Sequence, residues 1–109
     1  MGCTLKKGIK IILTTIDDEA KANEFSKKLV GNKLAACVSM LKIKSTYFWA
    51  GKIEDSWEFL LFIKTHSDKL KDVVDWIREN HPYKVPEIII LDSLADEPYY
   101  QWLTDYILK

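Results

Sequence analysis

The 109-residue sequence has no excess of charge, because sixteen acidic residues balance its sixteen lysines and arginines. A balanced chain lacks the long-range attraction that binders of nucleic acids and of anionic membranes rely on. Its longest apolar runs, such as FLLFI and EIIIL, are far shorter than a bilayer span, and the N-terminus lacks the apolar stretch of a secretory signal. We therefore expect a cytoplasmic protein with neither nucleic acid nor membrane among its partners.

Cysteines and sequence-local catalytic motifs are also scarce. Cys3 lies near the terminus and Cys37 in an apolar, strand-like segment, so their even number alone does not predict a disulfide. The sequence has no Gly-rich phosphate loop and no HExxH, GxSxG or CxxC motif, and a nucleophile with its base cannot be named. Repeats and Pro/Gly/Ser-rich linkers are absent as well. These absences predict one domain over residues 1–109 that is not an enzyme.

Hydrophobic periodicity predicts an alternation of strands and helices along the whole chain. Strands are predicted at 10–15, 34–49, 52–64 and 87–91, and helices at 18–30, at 66–80 and from Asp96 onward. The order β-α-β-β-α-β with a terminal helix is that of the split βαβ, ferredoxin-like folds. We therefore predict an α+β sandwich in which the helices cover one face of a mainly antiparallel sheet.

Local signals mark the ends of these elements. Gly31 is a candidate left-handed terminator of the first helix, and Ser67 or Asp68 is a candidate N-cap of the second. The Ala50-Gly51 pair suits a two-residue hairpin turn. Two prolines exclude both helix and central strand across 81–86, so this segment is predicted to be a stiff connector.

The predicted hairpin is too long for a compact subunit. A strand over 34–49 would span about 50 Å, whereas a globule of this size is only about 34 Å across. The far half of the hairpin carries aromatic side chains that are costly to leave in water, namely Tyr47, Phe48, Trp49 and Trp57. We expect an oligomer in which hairpins of neighbouring subunits cover the open face of the sheet.

His81 is the polar residue with the most open interpretation. It closes the second helix, where an imidazolium would complement the helix dipole. It also begins a connector that brings Tyr83, Lys84 and Glu87 together, and polar groups at strand ends often line ligand clefts. Both interpretations remain open at this stage.

The other candidate groups give weaker signals. Cys37 and His66 are donors of the type that metals use, but their spacing is not that of a metal site; a small buried hydrophobe and a surface cap are the alternatives. Glu58 and Lys64 lie on one strand face and suit either a solvated ladder or an inter-subunit cleft.

Several segments together resemble the CutA family of divalent-cation tolerance proteins. The resemblance runs from about Ile11 to Leu108 and rests on LAACVSM (34–40), IKSTYFWAGKIE (43–54), EFLLFIKT (58–65), HPYKVPEII (81–89) and YYQWL (99–103). It implies a single CutA-like domain assembled as a homotrimer, similar in architecture to the PII signalling proteins. It also implies a role in tolerance of copper and other divalent cations, without an obligatory cofactor.

The resemblance assigns provisional roles to individual positions. It implies His81 and Cys37 as metal ligands, and a ligand cleft lined by Glu58, Lys64, Tyr83 and Glu87. It places Trp102 in the trimer interface with Tyr47, Phe48, Trp49 and Trp57. Some relatives carry a cysteine and an additional histidine where this chain has Thr14 and Asn80, so two good copper donors are missing here.

Three functions follow from these observations. The first is a divalent-cation response with the ion in an inter-subunit cleft near His81, Glu58 and Lys64. The second is a PII-like module that binds a small anion or nucleotide, which Lys64 would favour. The third is a structural or assembly protein that has no ligand.

Overall fold

Four antiparallel strands and three helices make up residues 4–109, the part of the chain that the computed structural model describes. Their bounds are β1 (Leu5–Ile16), α1 (Glu19–Gly31), β2 (Cys37–Trp49), β3 (Lys52–His66), α2 (Leu70–Asn80), β4 (Ile89–Asp96) and α3 (Glu97–Leu108), with a short 3-10 turn at Ser67–Lys69 before α2. The sheet order is β2-β3-β1-β4. The predicted α+β, ferredoxin-like arrangement is confirmed.

Three strands, β1, β2 and β4, differ in extent from their predictions. The pairing of β1 with β4 continues to Leu5 opposite Asp96, past an irregularity between Lys7 and Lys10, so both strands are longer than expected. β2 starts at Cys37 instead of residue 34 because the preceding residues turn back towards the first helix. In both cases backbone pairing, which side-chain patterns do not record, decides the boundary.

The helix ends also correct the sequence-based prediction. The Asp18 side chain caps α1 by accepting from the Lys21 N–H at 2.9 Å, but the left-handed residue after this helix is Lys33 (φ 57°), not Gly31. Before α2, neither Ser67 nor Asp68 is the cap. The His66 imidazole accepts the Asp68 N–H at 3.0 Å and so starts the 3-10 turn.

The main core lies between the sheet and helices α1 and α2. It is formed by apolar residues of β1, β3, both helices and the segment between α1 and β2: Ile12, Ile16, Ala22, Phe25, Leu29, Ala35, Leu61, Ile63, Val73 and Ile77. Thr14 lies among them, fully buried, and its hydroxyl has no hydrogen-bond partner among the described residues. The cysteine that some relatives carry at this position would therefore be a buried thiol here. Its replacement by Thr14 does not remove an accessible metal donor.

Replacing Thr14 with valine is expected to stabilise the fold by about 1 kcal/mol, because it removes a buried hydroxyl that has no partner while keeping the shape. Thr65→Val is the matched control: Thr65 is equally buried, but its hydroxyl donates to the Leu34 carbonyl at 2.6 Å. The control should lose about 1 kcal/mol. Urea midpoints at constant m-value measure both changes. Equal destabilisation by the two substitutions would contradict the assignment.

The β2–β3 hairpin extends well beyond the helices. A left-handed Ala50-Gly51 turn (φ 52° and 80°) closes it, and Trp49 pairs with Lys52 across the turn. The subunit measures 54 × 28 × 22 Å and has a radius of gyration of 15.2 Å, larger than the roughly 13 Å of a compact chain of this length. The length of the predicted strand left a sharply bent or a protruding hairpin as alternatives, and the hairpin protrudes.

The second face of the sheet is only partly covered. α3 packs Leu103 and Ile107 on Ile9 and Ala36 at one end. The strand register places apolar side chains over the rest of this open face, among them Ile11, Leu13, Leu41, Ile43, Leu60, Phe62, Ile89 and Leu91. Leu41 is 56% exposed in the single chain.

No helix in residues 4–109 is long and apolar enough to cross a membrane.

Candidate functional site

The connector after α2 begins at His81, as predicted. The His81 N–H donates to the Ile77 carbonyl at 2.9 Å and ends the helix, and the imidazole Nδ1 accepts the Tyr83 N–H at 3.0 Å. The ring packs against Phe25 and Tyr83, with centroids 5.6 Å and 4.9 Å away. The imidazole is therefore a structural part of the connector.

The environment of His81 favours its neutral form. The residue is 9% exposed, and burial lowers its pKa despite the opposing influence of the Thr15 backbone and of the Glu58 and Asp17 carboxylates. Nε2 lies beside Thr15 without a partner in full hydrogen-bond geometry among the described residues. Burial therefore works against the predicted interaction of an imidazolium with the helix dipole, because it disfavours the charged ring. The neutral ring is the form that binds metals.

Tyr83 ties the connector to the open face of the sheet. Its hydroxyl donates to Glu58 Oε2 at 2.7 Å, and Glu58 is only 7% exposed. Burial, followed by the hydrogen bond to the carboxylate, raises the pKa of Tyr83. The phenol thus remains a donor at physiological pH. The connector therefore passes from the helix layer, where His81 packs, to the opposite side of the sheet.

A cleft of about 730 Å³ lies between this connector and the base of the hairpin. Its lining includes Thr15, Asp17, Ser45, Thr46, Tyr47, Trp49, Ser56, Glu58, Tyr83, Lys84, Val85, Pro86 and Glu87. Burial and the nearby Glu58 carboxylate raise the pKa of Glu87. Three of the four predicted cleft residues, namely Glu58, Tyr83 and Glu87, are therefore brought together. Glu87 belongs to the connector and does not start β4.

Lys64, the fourth predicted cleft residue, lies elsewhere. It shares a strand face with Glu58, but six residues of strand separate them by about 20 Å. Its ammonium instead lies 3.3 Å from Ser39 Oγ and 3.9 Å from Cys37 Sγ. The even spacing of Glu58 and Lys64 correctly indicated that they share a strand face, but it did not show that they lie close together. A positive charge from Lys64 is therefore absent from the cleft of this subunit.

The two predicted metal ligands also lie apart. Cys37 pairs with Lys64, which in turn pairs with Ile11 of β1, whereas His81 lies at the level of Thr15, further along β1. Cys37 is half-buried rather than buried. Within residues 4–109, no group of three or more His, Cys, Asp and Glu side chains is arranged to hold a metal ion.

Two contacts were missed by sequence reasoning. Asp17 was interpreted only as part of the start of helix α1, yet it lines the cleft. His66 was assigned to the surface, yet it is 6% exposed and its Nε2 lies 3.1 Å from the Tyr100 hydroxyl. No local signal predicts either contact, because each joins segments that are distant in the chain.

The predicted interface aromatics are exposed in the single chain and lie on both faces of the hairpin. Tyr47 and Trp49 are on the open face, and Phe48 and Trp57 are on the opposite face. Phe48 is 72% exposed and Trp102, on α3, is 52% exposed. A single flat partner cannot contact both faces, so an assembly that covers all of them must enclose the hairpin.

Comparisons with known proteins agree in sequence and fold. A family model described as CutA1 divalent ion tolerance protein matches residues 10–106. The divalent-cation tolerance protein CutA of Yersinia pestis (strain Pestoides F) is 36% identical over 100 residues, covering 90% of this chain and 84% of the relative. CutA from Synechococcus elongatus PCC7942 has a TM-score of 0.91 at 31% identity, covering 95% of this chain and 96% of that one. A structure of the same protein complexed with a Bis-Tris molecule has a TM-score of 0.87 at 31% identity, covering 94% and 99%.

Proposed function

The chain belongs to the CutA1 family of divalent ion tolerance proteins, and from this premise we propose how it contributes to divalent-cation tolerance. It works as a cytoplasmic homotrimer that binds a divalent cation, with copper the first ion to test, at clefts between its subunits. The family is one of tolerance proteins by name, and no enzymatic family is indicated.

The observation that carries the proposal is the buried Glu58 carboxylate in an acidic cleft, with the His81 imidazole nearby but outside the cleft lining. Tyr83 contacts both groups, through its hydroxyl to Glu58 and through its ring to His81. Imidazole nitrogen and carboxylate oxygen are donors that suit Cu(II) and Zn(II). Because these donors are too few in one chain, a neighbouring subunit supplies the remainder. Cys37, which lies beside Lys64 at the other end of the sheet, is a separate soft donor.

The uncovered sheet face supports the trimer. Apolar side chains such as Leu41 and Leu91 stay more than two-fifths exposed in the single chain. Soluble monomers rarely leave a contiguous patch of this kind in water. Hairpins that enclose one another would cover the apolar part of this face together with Phe48 and Trp57, while Tyr47 and Trp49 line the cleft between subunits.

Calorimetric titration of Cu(II) and Zn(II) tests the metal proposal. His81→Ala is expected to weaken Cu(II) binding about tenfold or more, because it removes the imidazole that Tyr83 connects to Glu58. Asn80→Ala, at an exposed neighbouring position, is the control and should bind like the wild type.

Equal affinity in wild type and His81→Ala would remove His81 from the ligand set. Loss of binding in Cys37→Ser but not in His81→Ala would instead place the ion at the Cys37 end of the sheet. Since copper binds many exposed donors, the two variants must be compared at the same protein concentration and pH.

A second candidate function is a small-ligand binding module of the PII type. The cleft volume of about 730 Å³ suits an organic molecule, and the related Synechococcus protein has been crystallised with Bis-Tris. The anion or nucleotide version loses its support, because Lys64 lies outside the cleft and carboxylates dominate the lining. A thermal-shift screen distinguishes this candidate from an assembly protein that has no ligand, which no small molecule should stabilise.

A further inference from the structure

The walls of the cleft are aromatic on two sides. Tyr47 and Trp49 come from the hairpin, and Tyr83 comes from the connector. The electron-rich face of such rings attracts cations, most strongly in Trp, and an alkylated ammonium ion can contact several rings at once. The lining therefore favours a ligand that combines positive charge with apolar surface.

The charges that face the cleft are mostly negative. Asp17, Glu58 and Glu87 contribute three carboxylates, and Lys84 contributes the one ammonium of the lining. None of the three carboxylates forms an ion pair with another side chain of residues 4–109. Their charges are therefore not compensated within this part of the chain.

Glu58 is the best-placed of the three to receive a ligand. It is 7% exposed, and the hydrogen bond that the described chain gives its carboxylate, from Tyr83, occupies Oε2. Oε1 has no such bond among residues 4–109, although Glu58 lines the cleft. A buried carboxylate with a free oxygen is stabilised by a cation that reaches it.

We infer that this cleft binds an organic ammonium ion, with its charge at Glu58 and its alkyl groups against Tyr47, Trp49 and Tyr83. The inference goes beyond the proposed metal function and does not depend on it, since a bare divalent ion has no use for the aromatic walls. It gives a ligand class to the small-molecule alternative described above.

Choline is the probe, and 3,3-dimethyl-1-butanol is its control because it has the same shape with a carbon in place of the charged nitrogen. Both are titrated into the full, metal-free protein, with tryptophan fluorescence and calorimetry as readouts. Choline is expected to bind at least about tenfold more tightly than the neutral analogue. Glu58→Gln, which keeps a hydrogen-bond acceptor for Tyr83, should remove about tenfold of the choline affinity.

Glu87→Gln is the second variant and keeps the test valid if Glu58→Gln does not fold. Equal binding of choline and the neutral analogue would overturn the inference, as would the absence of choline binding to the wild type. Failure of the metal proposal is a separate result, because it is read from Cu(II) titration of His81→Ala without any ammonium present. Choline binding that survives both Gln substitutions also counts against a carboxylate-held charge.

Discussion

Leu41→Asp is expected to convert the proposed trimer into monomers or into unfolded chains. Leu41 lies on the open sheet face, opposite Leu60, and is 56% exposed in the single chain. In the proposed trimer a neighbouring hairpin covers this position, and burial of a carboxylate without a partner costs several kcal/mol per subunit. Because three subunits carry the change, the effect on assembly is threefold. Light scattering coupled to gel filtration measures the mass directly.

The control for this experiment is Leu108→Asp, which adds the same charge at an exposed leucine near the end of α3. It should leave the mass unchanged. A wild-type protein that elutes as a monomer, or a Leu41→Asp variant that keeps the wild-type mass, would rule out assembly through the open face. In that case the cleft would have to bind its ligand within one subunit.

Phe25→Ala is expected to have the largest effect on the stability of the subunit, about 3–5 kcal/mol, because it empties a well-packed position of the core. The Phe25 ring packs 4.9 Å from that of Trp76 and 5.6 Å from that of His81. The substitution therefore weakens the helix layer and also admits water to the imidazole. Phe25→Leu, which keeps most of the volume, should lose less than about 1.5 kcal/mol.

Phe25→Ala is also expected to change how the stability of the protein depends on pH. Burial lowers the pKa of His81 in the folded state below its ordinary value of 6.5, so the unfolded chain binds more protons and stability falls as the pH drops through this region. Glu87 acts in the opposite direction, because its raised pKa makes the folded state the better proton acceptor above 4.5. Comparison with His81→Gln isolates the histidine contribution.

Urea denaturation between about pH 7.5 and 5.5 should give a steeper loss of stability in the wild type than in His81→Gln. In the Phe25→Ala background this difference should shrink, since a more hydrated imidazole has a pKa closer to the ordinary one. An unchanged difference would mean that Phe25 does not keep water from His81. A difference of opposite sign would mean that His81 is charged in the folded protein.

Local periodicity explains why the fold was predictable. The stripe of Ala22, Phe25 and Leu29 is buried on one face of α1, as its spacing indicated. The Ala50-Gly51 turn and the start of the connector at His81 were placed correctly because backbone chemistry at Gly and Pro is local, although the connector continues to Ile88. Terminators were less predictable: Lys33, and not Gly31, takes the left-handed conformation, since the contacts of the next segment decide where the chain turns.

The candidate site was predictable only in part. Tyr83 and Glu87 lie close together in the sequence, and their place beside Glu58 follows from the connector that crosses the end of the sheet. Lys64 was misplaced because a shared strand face does not fix a distance along the strand. The family resemblance supplied the divalent-cation tolerance role, which the residues alone did not.

By itself the sequence determined the order of strands and helices, the buried stripes and a hairpin too long for a compact subunit. These features depend on neighbours within a few residues. Tertiary structure alone decided that Asp17, Glu58 and Glu87 share one cleft, that His81 is buried with a lowered pKa, and that Cys37 lies with Lys64 at the far end of the sheet. These relations depend on strand register and on packing between distant segments. The charge and protonation of a site follow from such packing, since burial and neighbouring charges set each pKa.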